Sequence, residues 1–85
     1  MKVEFNAGRR SVVVHLNQAE YDRLVAEERA WQEKRYDLQG AEYAEEIFRN
    51  TYPIEIIKRV GGLGIDTVVI HYPDDSVIIR ERKRF

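Results

Sequence analysis

His15, His71, Asp74 and Asp75 are the residues of this chain whose types could do acid–base or metal chemistry. Each histidine sits alone in a β-branched run, with no cysteine and no second histidine at the short spacing that zinc ligation uses. Metal binding would need the two strands to lie side by side, so the histidines read as structural, and no metal and no cofactor is expected. His71 with Asp74 or Asp75 imitates an acid–base pair, but no nucleophile stands out beside them, and no catalytic residue is assigned. Gly61-Gly62-Leu63-Gly64 has the glycines of a phosphate cradle but lacks the Lys-Ser or Lys-Thr and the helix start that cradle needs. It reads as a flexible connection between strands, with Leu63 at its tip either tucked back or meeting a partner.

Two further groups could recognise a macromolecule. Arg80, Arg82, Lys83 and Arg84, with Arg9 and Arg10, could form a basic rim against phosphates, although Lys and Arg at strand edges also serve to prevent edge pairing. Trp31 lies in a highly charged helical segment; it reads first as the anchor of that helix on a sheet and second as a protein contact. Around it, Glu28, Gln32 and Arg35 fall in the middle of an apolar face, where charge is costly if buried unpaired. With Glu42, Glu45 and Glu46 as an acidic neighbour, these residues are the candidate partner-binding surface.

The densest β-branched stretch is Ile65 to Arg82, two strands joined by Tyr72-Pro73-Asp74-Asp75-Ser76 and expected at the centre of a sheet. An N-terminal hairpin is expected over Val3 to Leu16, turning at Asn6-Ala7-Gly8, with its second strand apolar on both sides and so inside the sheet. Asn17 followed by Glu20, with Leu16 and Tyr21 spaced as a hydrophobic staple, predicts a first helix beginning at Gln18. Its apolar face has two seams, Leu24-Trp31-Leu38 and Tyr21-Val25-Tyr36, and one sheet cannot cover both. Gly40 is either the residue that ends it or a weak point within a longer helix, and the polar content around 37–39 favours a break. The spacing then predicts a second helix from about Ala41 to Asn50, stopped before Pro53, and a third strand over 54–60. The element order β-β-α-α-β-β-β predicts an α+β fold, with an antiparallel or mixed sheet of about five strands and a helical pair on one face.

This order, β, a helical pair, then three strands with a basic C-terminus, resembles in topology the RelE/ParE-type toxins of toxin–antitoxin systems. That resemblance implies a nucleic-acid-binding or ribonuclease-type domain acting through the C-terminal basic strand. It carries no catalytic residue onto this sequence.

The 85 residues are expected to form one domain, and a chain of that size buries only roughly 60–65% of its unfolded surface. Cysteine is absent, so no disulfide compensates, and a second copy could supply the missing burial. No apolar run is long enough for a membrane span and no signal peptide is legible, so a cytoplasmic setting without a membrane partner is expected. Formal net charge is −1, but residues 18–50 hold nine acidic and five basic side chains while both ends are net basic. The expected function is a non-enzymatic protein-interaction module, a small inhibitor or adaptor whose partner is a larger protein or a second copy of itself. Binding nucleic acid through the basic groups is the alternative.

Overall fold

The β-branched stretches pair into a mixed sheet of four strands among the described residues, in the order β1-β2-β3-β4. The structure is a computed structural model and describes residues 1–36 and 41–82. β1 (Lys2–Asn6) and β2 (Ser11–His15) form one antiparallel hairpin, and β3 (Thr67–His71) and β4 (Val77–Glu81) form another. β2 and β3 run parallel at the centre. A parallel pair needs a long crossover, which α1 (Gln18–Tyr36) and α2 (Ala44–Val60) provide. β2 is interior as expected. The C-terminal hairpin is central only in part, since β3 is interior and β4 is an edge.

Two expectations are corrected. The second helix does not stop before Pro53, and 54–60 is not a strand but the C-terminal half of α2, so the sheet has four strands rather than five and two strands follow the helices, not three. The physical reason is a seam at four-residue spacing. Ala44, Phe48 and Tyr52 are buried, Ile56 and Val60 continue the seam against the core, and Pro53 is itself fully buried. Proline lacks an N–H and removes one helical hydrogen bond, but the continuous apolar face outweighs that loss. Gly61–Leu63 then forms a short 3-10 turn into β3, so the glycine-rich stretch joins helix to strand rather than strand to strand. Gly64 has φ 81°, a conformation that favours glycine. Leu63 does not tuck back, being 72% exposed. The expected break at Gly40 and the seam residue Leu38 lie outside the described residues, as do Lys83, Arg84 and Phe85.

Alternation divides the sheet into two faces. Val12, Val14, Val68 and Ile70 point to the helices and are at most 2% exposed. Their neighbours Val13, Val69 and Ile79, with His15 and His71, line the other face. α2 lies over β3 and β4, and α1 packs on α2. Among the described residues neither helix lies over β1.

The start of α1 is the expected capping box. The Glu20 amide donates to Asn17 Oδ1 at 2.8 Å, and the Asn17 amide donates to Glu20 Oε1 at 3.1 Å. Leu16 and Tyr21 are both buried, as a staple requires. The Met1 ammonium also pairs with Glu20; with the Asn17 amide it holds the Glu20 carboxyl below the usual range. Asn17→Ala is therefore expected to cost about 0.5–2 kcal/mol in urea melts.

Candidate partner-binding surface

Trp31 is not the anchor of α1 on the sheet. It is 47% exposed, because α1 packs on α2 and, among the described residues, on no strand. The indole lines a groove of about 720 Å³ between the two helices, with Leu24, Gln32, Ile47, Phe48 and Tyr52 on its walls and Met1 at one end. Arg35 extends its guanidinium over the Trp31 ring, 5.1 Å from the centroid. Glu28 is half-buried and accepts a long hydrogen bond of 3.5 Å from Gln32, which is only 6% exposed. The polar line through the apolar face thus resolves residue by residue: Gln32 goes inside, Glu28 sits at the groove wall, and Arg35 covers the indole.

Glu42, Glu45 and Glu46 do not join that groove. They line a separate cleft with Tyr43, Arg49, Asn50 and Ile78. Within it, Glu45 is committed to structure, since its carboxylate accepts from the Tyr21 hydroxyl at 2.5 Å. Arg49 is the hub beside it and is a residue that sequence reasoning passed over. Its Nε donates to Tyr21 Oη at 2.8 Å, one terminal nitrogen donates to Ser76 Oγ at 3.0 Å, and the other donates to Asp74 Oδ2 at 2.8 Å. Its guanidinium also lies over the rings of Tyr72 and Tyr21, at 4.6 and 5.1 Å. These contacts tie α1, α2 and the β3–β4 turn together. The signal was a lone Arg on the charged side of α2, which sequence spacing assigns to solvent.

That cluster holds Ser76, Asp74 and two tyrosines, which invites a catalytic reading. Its electrostatics argue for a strut. Hydrogen bonds from Ser76, and then from Arg49, hold the Asp74 carboxyl down to about 2. So weak a base does not take a proton from a serine near neutral pH. Burial pushes Tyr72 up to about 12, which keeps its hydroxyl protonated.

The two histidines do come together. His15 and His71 are register partners on β2 and β3, with rings stacked at 4.5 Å. Glu4 Oε2 is 3.7 Å from His15 Nε2. Among the described residues no group of three or more His, Cys, Asp or Glu is placed to hold a metal ion. Asp74 and Asp75 lie in the turn beyond His71, with Asp74 bound to Arg49 and Ser76 rather than to the imidazole.

Of the basic candidates, Arg9, Arg10 and Arg82 share one end of the sheet. Asp66 bridges Arg10 and Arg82 by backbone bonds, its amide donating to the Arg10 carbonyl at 2.9 Å and its carbonyl accepting from the Arg82 amide at 2.7 Å. Asp66 and Glu81 interrupt the positive charge there. Arg82 also reaches Gly61 at the C-terminal end of α2, where a cation is favourable to the helix dipole. Arg80, paired in register with Val68, lies on the helix side of β4.

Compared with known proteins, the chain matches no family model, no curated protein and no solved structure. Among the described residues no helix is long and apolar enough to cross a membrane.

Proposed function

We propose that this chain is a protein-interaction module, an inhibitor or adaptor in scale, that docks on a larger protein through the groove between α1 and α2. The observation that carries the reading is Trp31, half-exposed in that groove with Arg35 over its ring. Trp and Arg dominate the energetics of protein interfaces, and a groove between helices that mixes apolar with charged side chains fits an amphipathic segment with one large anchor side chain. The groove is lined by Glu27, Glu28 and Glu55 against Arg23 and Arg59, and with the acidic excess of residues 18–50 this suits an occupant whose anchor is flanked by Lys or Arg. Glu42 and Glu46, on the separate cleft, extend the same negative field but do not touch the anchor.

The test begins with helical peptides bearing a large apolar residue among basic ones, selected from a display library against the full chain. Trp31→Ala is expected to weaken the best of them about tenfold or more, the mark of an anchor residue. Its melting temperature should stay within a few degrees of the parent, since the indole is half in solvent. Equal binding by parent and variant would contradict the reading.

Nucleic-acid binding is the second reading, favoured by the clustering of Arg9, Arg10 and Arg82 at one end of the sheet. Electrophoretic shifts at low and high salt separate the two, because phosphate contacts weaken steeply with salt.

A further inference from the structure

β1 is an open edge, and its residues have a pattern that the rest of the surface lacks. All five are exposed. Val3 and Phe5 stand opposite Val14 and Val12, so they belong to the helix-side face, but they remain 42% and 59% exposed. Lys2 and Glu4 alternate with them on the other face, 3.1 Å apart. Antiparallel pairing of this strand with a copy of itself about a two-fold axis keeps like faces together, so the axis must pass through a residue position. An axis at Glu4 sets Glu4 against Glu4, one at Lys2 sets Lys2 against Lys2, and axes at Phe5 or Asn6 leave Lys2 and Glu4 without an opposite charge across the pair. An axis at Val3 opposes Val3 with Val3, Met1 with Phe5, and Lys2 with Glu4 twice. At the other edge, β4 offers no equivalent. Axes at Ile78, Ile79, Arg80 or Glu81 each leave like charges opposed or charge facing an apolar side chain.

We infer that β1 is a self-recognition edge through which two copies of this chain pair antiparallel, with the two-fold axis at Val3. A further observation points to a second copy as the occupant. The Val3 register brings the copy's Phe5 opposite Met1, which lies at the end of the inter-helix groove with Leu24, Phe48 and Tyr52 on its walls. Met1 is held there by Glu20, roughly 16 Å along α1 from Trp31. Dimerisation therefore leaves the Trp31 end of the groove open, and the inference does not depend on what binds there.

Sedimentation equilibrium on the full chain tests it. The parent should reach twice 10.1 kDa at high concentration. Lys2→Glu and Glu4→Lys alone each place like charges opposite one another and should weaken the dimer about tenfold, whereas the double exchange should restore it to within about threefold. Because the chain has no cysteine, oxidised Val3→Cys should link two copies through a disulfide, since residues opposed in an antiparallel pair are roughly 4.5–5.5 Å apart. Glu4→Cys should not. This second measurement stands even where a charge variant fails to fold. A parent that stays monomeric, a double exchange as weak as the singles, or equal crosslinking at both positions overturns the inference.

Discussion

Arg49→Leu is expected to lower the stability of this protein by about 2–3 kcal/mol, as hydrogen bonds to a charged group at a partly buried site are worth. The side chain is 25% exposed and donates to three residues on two other elements, α1 and the β3–β4 turn. Leucine keeps much of the packing against Tyr21 and Tyr72 but leaves the Tyr21 hydroxyl and the Asp74 carboxylate without their cation. For a domain of this size the midpoint should fall by roughly 10–20 °C. The same hub predicts a pH dependence. Asp74 is held down to about 2 in the folded chain, so its contribution is present above the ordinary aspartate range. It is lost as pH falls from there through about 2. In Arg49→Leu the Asp74 titration should move upward, and the loss of stability in that window should shrink. Carbon-detected NMR titration of the carboxyl reads this directly; an Asp74 that titrates at an ordinary value in the parent would remove Ser76 and Arg49 as its partners.

Ile70→Ala should cost about 2–5 kcal/mol, the range for a buried aliphatic side chain cut back to alanine. Ile70 is fully buried on β3, with Val14 beside it on β2 and Ile78 on β4. An 85-residue domain has only about 4–13 kcal/mol in total, so the loss is a large fraction of it and should lower the melting midpoint by roughly 10–40 °C. Ile79→Ala is the control. It lies one position along β4 on the open face, 60% exposed, and should change stability by no more than about 0.5 kcal/mol. Equal losses from both would mean that the open face is covered in solution.

Local chemistry made half of this fold legible from residues alone. Asn17, Glu20, Leu16 and Tyr21 are within five positions of one another, and the cap they predict is the cap observed. The turn over 72–76 was legible for the same reason. The error over 54–60 came from weighing Pro53 and three isoleucines by type, when the spacing of Phe48, Tyr52, Ile56 and Val60 already continued a helical seam. Propensity lost to packing there. The site was less legible because it depends on where α1 lies. Nothing in the sequence shows that α1 leans on α2 and leaves Trp31 half in solvent, or that Arg49 crosses from α2 to the β3–β4 turn. The stacking of His15 on His71 required the parallel register of β2 and β3, which is a long-range property.

Trp31 is the single tryptophan of the chain, so its emission reports the proposed groove without a label. Titrating the full chain with a selected basic amphipathic peptide, and separately with single-stranded RNA at low salt, tests the central claim most directly. A saturable blue shift with loss of acrylamide quenching on adding peptide, and no change on adding RNA, is the expected result. Unchanged emission with peptide, while RNA retards the protein on a gel, would contradict it and move the function to the basic end of the sheet.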